Sequence, residues 1–297
     1  GRTWREIRYA EHGAVGVLAF EFYNGAMSTA QCRRLLSAYR WARQRPTRIL
    51  LLLGGEDFWS NGIHLNVIEA AADPAAESWR NILAMNALVR EIILTDDRLT
   101  IAALQGNAGA GGVMLALAAD QVWARQEVVL NPHYQGMGGL YGSEYWTYLL
   151  PRRVGGALTE ELTESLLPLG TARALRIGLI DGALPGPVAV FRAQALAAAQ
   201  ALAESAEYSV LLADKRARRA ADERRKPLEQ YAAEELVRMR YNFFGPDRRY
   251  HEARRRFVHK QPAAGQSAAE PVRVRRPQQD VAVLDGWSLD EAVVVPG

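Results

Sequence analysis

Two glycine-rich loops carry the residue types best suited to chemistry. The first is Ser60–His64 and the second is Gly106–Gly112, and each follows an apolar strand-like run and precedes a helix-like pattern. Backbone N–H groups at two helix starts can hold a carbonyl oxygen on which negative charge develops. The loops therefore predict acyl transfer or acyl elimination on a thioester.

The elements around these loops indicate an α/β fold. Ile49–Leu53 and Leu99–Leu104 are continuous aliphatic runs typical of strands buried on both faces. Ser28, followed by Gln31, predicts a capping box and a helix that runs to about Arg43. A repeated order of strand, turn and helix favours parallel strands with short crossovers.

The chain changes character after residue 187. Residues 188–260 lack strand signals and predict about three helices. The basic run Lys215–Lys226 predicts a solvated helix face, with contact to phosphate groups of a ligand as the alternative. From residue 261 the composition becomes rich in Pro, Ala, Gln and Arg without periodicity, which predicts disorder. We therefore expect a core over residues 1–187, a helical subdomain over 188–261, and a disordered linker and tail over 262–297.

Charge and cysteine content limit the functional classes. The 36 basic and 33 acidic residues give a net charge of +3, which does not call for a nucleic-acid partner. The apolar runs are too short for a membrane span, and the single cysteine, Cys32, excludes a disulfide framework and a thiolate metal cluster. We expect a cytoplasmic protein without a membrane partner, and the start at Gly1 indicates a fragment that lacks an N-terminal domain.

Four segments resemble motifs of the crotonase superfamily of enoyl-CoA hydratases and isomerases. They cover its N-A-L/M-S/N, F-x-x-G-A-D-L, N-G-x-A-x-G-G-G and A-x-x-x-G-L-V-D patterns, at residues 23–28, 58–65, 105–113 and 171–181. The resemblance implies a spiral of ββα units with a C-terminal helical cap, and coenzyme A thioesters as substrates. It also implies an oxyanion hole made by the N–H groups of Ile63 and Gly111. Gly62 is the alternative to Ile63, because this loop is one residue longer than the family pattern.

Two departures from the superfamily pattern argue against enoyl-CoA hydration. Met114 stands where hydratases carry their first catalytic glutamate, and their second falls near Tyr134 or Gln135. Hydration needs two carboxylates on one water molecule. We therefore predict an acyl-CoA enzyme that is not a hydratase.

A longer resemblance, to residue 260, connects the chain to the C-terminal half of HypX-type hydrogenase maturation proteins. It rests on residues 61–66, 131–146, 238–245 and 250–260. Members carry an N-terminal formyl-tetrahydrofolate transferase-like domain, pass the formyl group to coenzyme A and release carbon monoxide for the nickel–iron hydrogenase. The resemblance implies that this chain is the formyl-CoA decarbonylase, a lyase. It implies as partners the N-terminal domain, which alone uses formyl-tetrahydrofolate, and other hydrogenase maturation proteins.

The same resemblance implies that Tyr134 and Glu144 are the catalytic pair. Formyl-CoA has no acidic α-carbon, so release of carbon monoxide requires removal of the formyl proton and protonation of the thiolate. The sequence predicts Ser143 as a helix N-cap, which would favour an ionised Glu144 in the first turn, whereas burial would favour the neutral acid. An alternative reading makes Glu144 a capping residue only.

The remaining predicted site residues contact substrate, and none binds a metal. His64 and His133 lack ligand spacing and a third partner. Two other functions stay open: a different acyl-CoA reaction on this scaffold, and a non-catalytic acyl-CoA-binding or assembly module with a solvent-facing pair. The expected contacts to substrate and coenzyme A are Ser60, Asn61, Gly62, His64, Gly112 and Asn131.

Overall fold

The computed structural model describes residues 5–261. The predicted disorder of residues 262–297 concerns residues outside this range. The strands are β1 (Ile7–His12), β2 (Val15–Phe20), β3 (Ile49–Leu53), β4 (Phe58–Ser60), β5 (Leu99–Leu104), β6 (Asn107–Gly109), β7 (Gln121–Arg125), β8 (Val129–Asn131), β9 (Leu169–Gly170) and β10 (Gly182–Leu184). The helices are α1 (Thr29–Arg43), α2 (Leu65–Glu69), α3 (Pro74–Ile93), α4 (Gly111–Leu117), α5 (Trp146–Val154), α6 (Gly156–Glu164), α7 (Thr171–Arg176), α8 (Val188–Glu204), α9 (Glu207–Arg225), α10 (Leu228–Phe244) and α11 (Arg249–Val258).

Successive strand pairs feed two sheets. The larger sheet has the order β1-β2-β3-β5-β7-β10 and the smaller has the order β4-β6-β8-β9. Each of the pairs β3/β4, β5/β6 and β7/β8 gives its first strand to the larger sheet and its second to the smaller one. Only β1–β2 and β8–β9 pair antiparallel among the described strands. The α/β fold with a ββα spiral is thus confirmed.

Helices cover both faces of the larger sheet. On one face, α1 and α3 contribute Leu35 and Met85 to the main core. Ser28 makes the predicted capping box with Gln31 at the start of α1. On the opposite face, Phe191 and Ala195 of α8 pack against the aliphatic side chains of β2, β3 and β5. Burial on both faces explains why β3 and β5 are apolar throughout.

The chain after residue 187 differs from the predicted three helices. Four helices, α8 to α11, are present, since Pro227 ends α9 and the Gly245-Pro246 pair ends α10. Lys215 on α9 is not solvated as predicted: it is buried, and its Nζ lies 2.6 Å from Asp120 Oδ2. The structure also divides these helices, because α8 covers the sheet whereas α10 and α11, here called the cap, cover the cavity described below. The domain boundary at 187 therefore stays a prediction.

Every helix in residues 5–261 is too short or too polar to traverse a bilayer.

Candidate active site

The two glycine loops meet at the wall of a cavity of about 640 Å³. A Cβ atom built on Gly62 would lie 3.2 Å from the backbone nitrogen of Gly111, so the loops are in contact. The N–H group of Gly62 donates to Ser60 Oγ (3.1 Å). Within residues 5–261, the N–H groups of Ile63 and Gly111 donate no hydrogen bond. Of the two alternatives at the first loop, Ile63 therefore has the N–H group available to a substrate.

The predicted site residues divide into cavity wall and support. Ser60, Gly62 and Gly112 do not line the cavity; Ser60 is fully buried, and a Cβ atom on Gly112 would overlap the carbonyl oxygen of Ser60. These three residues hold the loops together and do not present groups to the cavity. The predicted residues on the cavity wall are Asn61, Ile63, His64, Gly111, Asn131, Tyr134 and Glu144.

Tyr134 and Glu144 form a buried hydrogen-bonded pair. The Tyr134 hydroxyl lies 2.9 Å from Glu144 Oε2 and 3.1 Å from the carbonyl oxygen of Ser143, to either of which it can donate. Glu144 Oε2 also accepts from the N–H group of Ser143 (3.2 Å). No donor in residues 5–261 bonds Oε1 of Glu144, which faces Gly111. One carboxyl oxygen is therefore held and the other is open to a ligand.

The backbone at Glu144 corrects the predicted helix start. Helix α5 begins at Trp146 with Tyr145 as N-cap, so Ser143 is not the cap and Glu144 is not in the first turn. Glu144 and Tyr145 both have φ of 60°, a left-handed conformation that is uncommon for residues with a Cβ atom. The reading of Glu144 as a mere capping residue is therefore wrong.

Burial dominates the acid–base behaviour of the pair. It raises the pKa of Glu144 to about 7, with a further rise from the charge of Glu235 and an opposing effect of the Tyr134 hydroxyl. Burial and the charge of Glu144 raise the pKa of Tyr134 well above its usual value. Near neutral pH, Glu144 can both accept and return a proton, while Tyr134 stays protonated.

Glu235 and Asn86 belong to the same buried network, and the sequence analysis did not identify them. Glu235 accepts from Ser143 Oγ (3.1 Å), and Asn86 Oδ1 accepts from the N–H group of Glu144 (2.8 Å). A sequence signal for Glu235 exists. It is the one carboxylate in the buried stripe of α10, whose members are Leu228, Ala232, Glu235, Met239 and Phe243.

The residues at the hydratase positions supply no second carboxylate. Met114 is fully buried in the main core and does not line the cavity, and Gln135 is exposed outside it. Among the cavity-lining residues that the structure describes, Glu144 is the one carboxylate. The geometry thus provides one base, one phenol and two N–H donors.

Polar groups elsewhere on the wall suit an organic ligand. Asn131 Oδ1 and His133 Nδ1 are buried without a hydrogen-bond partner in the described residues, and both side chains line the cavity. His64 Nδ1 accepts from the N–H group of Val67, and burial lowers the pKa of His64 and of His133. Neutral imidazole and amide oxygen can accept amide N–H groups. No set of three His, Cys, Asp or Glu side chains in residues 5–261 is arranged to hold a metal ion.

Comparison with known proteins identifies a family and longer relatives. The enoyl-CoA hydratase/isomerase family model matches residues 16–266. Hydrogenase maturation factor HoxX of Bradyrhizobium diazoefficiens is 56% identical over 262 residues, which are 88% of this chain and 46% of that protein. The chain therefore spans about half the length of this relative.

Among solved structures, a similar match covers most of this chain and about half of a longer protein. HypX from Aquifex aeolicus, crystallised in complex with tetrahydrofolic acid, matches with a TM-score of 0.85 and 46% identity over 88% of this chain and 46% of that chain. Enoyl-CoA hydratase from Bacillus halodurans matches with a TM-score of 0.73 and 17% identity, over 84% of this chain and 99% of that chain. The second likeness concerns the fold alone.

Proposed function

We propose that this chain, which belongs to the enoyl-CoA hydratase/isomerase family, releases carbon monoxide from formyl-CoA and regenerates coenzyme A during nickel–iron hydrogenase maturation. The similarity to a hydrogenase maturation factor supports the cellular role. Formyl transfer from formyl-tetrahydrofolate to coenzyme A is assigned to the N-terminal part of the longer relatives, in line with the tetrahydrofolic acid complex of HypX. Other hydrogenase maturation proteins are the proposed partners.

The position of Glu144 against Gly111 carries the proposal. A Cβ atom on Gly111 would lie 2.6 Å from Glu144 Cδ, so the carboxyl group directly adjoins one oxyanion N–H donor. A thioester whose oxygen accepts from Ile63 and Gly111 would present its acyl substituent to this carboxyl group. A formyl hydrogen is small enough for that position, and it is the atom that decarbonylation removes.

The proposed steps balance without an added reactant. The N–H groups of Ile63 and Gly111 polarise the formyl carbonyl and so acidify its hydrogen. Glu144 Oε1 removes the formyl proton, the C–H electron pair stays on carbon as the lone pair of carbon monoxide, and the C–S bond breaks with its electrons on sulfur. Tyr134 donates its proton to the thiolate as Glu144 returns the proton it took, so Tyr134 is not left as a phenolate.

The burial of the Tyr134–Glu144 pair argues against a non-catalytic acyl-CoA-binding module. A solvent-facing pair would favour this alternative, but Tyr134 and Glu144 are only 7% and 1% exposed. The other alternative, a different acyl-CoA reaction, can be distinguished from decarbonylation by the size of the acyl group that the protein turns over. Formyl-CoA turnover with no reaction of acetyl-CoA or butyryl-CoA supports decarbonylation, whereas turnover of the longer thioesters favours another reaction.

The direct test measures carbon monoxide released from formyl-CoA by Glu144→Gln and Tyr134→Phe. Each substitution removes one proton-transfer group, so we expect a loss of about 10²–10⁴-fold with coenzyme A affinity retained. The double variant should be little worse than either single variant, because groups that act as a unit are not additive.

Glu161→Gln and Tyr241→Phe are the matched controls, since both residues lie outside the cavity wall. Both should keep full activity. Undiminished carbon monoxide release by Glu144→Gln would remove this residue from the mechanism.

A further inference from the structure

Glu235 is a buried carboxylate that makes four hydrogen bonds from the cap to the start of α5. Its Oε2 accepts from Ser143 Oγ (3.1 Å) and the N–H group of Tyr145 (2.9 Å). Its Oε1 accepts from the N–H group (2.9 Å) and hydroxyl (2.6 Å) of Thr147. It is fully buried, and the four donors that bond it are all uncharged. Glu235 thus acts as the N-cap that α5 lacks in its own sequence.

The turn that Glu235 holds is the one that aims Glu144. Two consecutive left-handed residues, Glu144 and Tyr145, persist only where the surroundings over-determine them. Asn86 of α3 supplies the opposite support: its Oδ1 accepts from the N–H group of Glu144, and its Nδ2 donates to Ser143 Oγ (2.8 Å). The turn is therefore fixed between α3 and the cap by side-chain hydrogen bonds.

We propose that Glu235 is a positioning residue, which keeps Glu144 Oε1 directed at Gly111 by fixing the Ser143–Thr147 turn from the cap. Its side chain is not part of the cavity wall. The proposal rests on the proposed function for its kinetic readout, and a spectroscopic readout tests it independently.

The charge of Glu235 also raises the pKa of Glu144, an effect that an uncharged hydrogen-bonding residue would not have. The titratable groups that influence or are influenced by Glu144 are Tyr134, Glu235 and the Cys32 thiol. Tyr134 and Cys32 stay protonated, because burial and Glu144 raise the pKa of both groups. Burial raises the pKa of Glu235 to about 7 as well, so the two carboxyl groups titrate over the same pH range and the charge on one opposes the charge on the other. Replacing Glu235 by a neutral amide should therefore lower the pKa of Glu144 and move the acid limb of the activity profile to lower pH.

The test compares Glu235→Gln with Glu234→Gln in the 297-residue chain. In Glu235→Gln, the amide fills the same space but has one acceptor oxygen, whereas Glu235 uses two. Glu234 is the control: it is an exposed residue next to Glu235 on α10, and it pairs with Lys226. At the high-pH plateau, kcat of Glu235→Gln for formyl-CoA should fall about 10- to 100-fold, as expected for a misaligned base. KM should stay within about twofold, since the affected group acts on the reacting atoms.

Glu234→Gln should match the wild type in kcat and in pH profile. If Glu235→Gln keeps the wild-type kcat and acid limb, the positioning role is wrong, whatever its melting temperature. If Glu235→Gln does not fold, Ser143→Ala takes its place, because it removes the hydroxyl that joins Glu235 to Asn86. An unchanged kcat in Ser143→Ala would then overturn the proposal.

Infrared titration of the Glu144 carboxyl separates this proposal from the function. The signal is isolated by subtracting the spectrum of the matching Glu144→Gln protein, with and without Glu235→Gln. A wild type without carbon monoxide release refutes the proposed function. The positioning role then stands if the Glu144 carboxyl band changes frequency in Glu235→Gln, because that frequency reports the hydrogen bonds of the carboxyl group, and if the midpoint also falls. An unchanged band refutes the positioning role even if the midpoint moves.

Discussion

At the scale of single residues, the buried carboxyl group of Glu144 can transfer a proton near neutral pH, but it destabilises the folded protein when it is ionised. Burial raises its pKa to about 7 in the folded protein, above the ordinary value near 4.3 of an unfolded chain. A raised carboxyl pKa contributes stability that is complete below the unfolded value and is lost as pH rises through the folded one. At pH 8 the buried, ionised carboxylate therefore lowers the free energy of unfolding. At pH 5 the group is mostly the neutral acid, and this destabilisation is largely absent.

We predict that Glu144→Gln becomes more stable relative to the wild type as pH rises from 5 to 8. The amide carries no charge to desolvate, so the gain should reach about 3 kcal/mol at most. Urea unfolding at several pH values measures the difference. Glu161→Gln, at an exposed site on α6, should show no such trend, and a pH-independent difference for Glu144→Gln would contradict the raised pKa.

At the scale of elements, the backbone of the first loop and that of α4 come into close contact at Gly112. A Cβ atom on Gly112 would be 2.4 Å or less from the carbonyl carbon and oxygen of Ser60, so α4 can approach β4 only if this residue has no side chain.

We predict that Gly112→Ala lowers the free energy of unfolding by roughly 1–3 kcal/mol and weakens coenzyme A binding, because it pushes the two loops apart. Gly156→Ala is the control: this glycine opens α6, and a Cβ atom there would meet nothing within 4 Å. Its stability should change by less than about 0.5 kcal/mol. Thermal and urea unfolding of the two variants decide the matter, and equal stability would contradict the close approach.

The sequence predicted those elements whose signals are local. The aliphatic runs of β3 and β5, the capping box of α1 and both glycine loops follow from periodicity and residue type. The two- and three-residue strands of the smaller sheet carry no such signal, because pairing across the fold defines them. The turn at Glu144 also could not be predicted, since its left-handed backbone depends on Asn86 and Glu235, which lie 58 and 91 positions away in the chain.

At the scale of the whole molecule, the cavity that residues 5–261 form lacks the pair of carboxylates that the hydration of an enoyl thioester needs. The cavity offers one carboxylate in the described residues, and the position of the missing one is filled by Met114 in the core. A scaffold shared at 17% identity with a hydratase therefore does not imply hydration.

We predict that the chain does not hydrate crotonyl-CoA at enzymatic rates of about 1–10³ s⁻¹, because one carboxylate cannot both activate water and protonate the product carbon efficiently. Loss of the enoyl-thioester absorbance measures the reaction. A slow loss of absorbance that is the same in the wild type and in Glu144→Gln is not catalysed by this carboxyl group. Hydration in the enzymatic range would refute the assignment of Glu144 and Tyr134 as a pair for elimination.

Helix α8 is synthesised after all the strands of the larger sheet that it covers. Val17, Leu51 and the other aliphatic residues on the outer face of the larger sheet are covered by Phe191 and its neighbours on α8. Roughly 150 residues separate β3 from the end of α8, and synthesis at about 5–20 residues per second needs on the order of 10–30 s for them. During that interval the nascent sheet has an uncovered apolar face. We therefore expect ribosome-bound chains that stop before residue 188 to recruit chaperones, and chains long enough for α8 to emerge from the ribosome to release them.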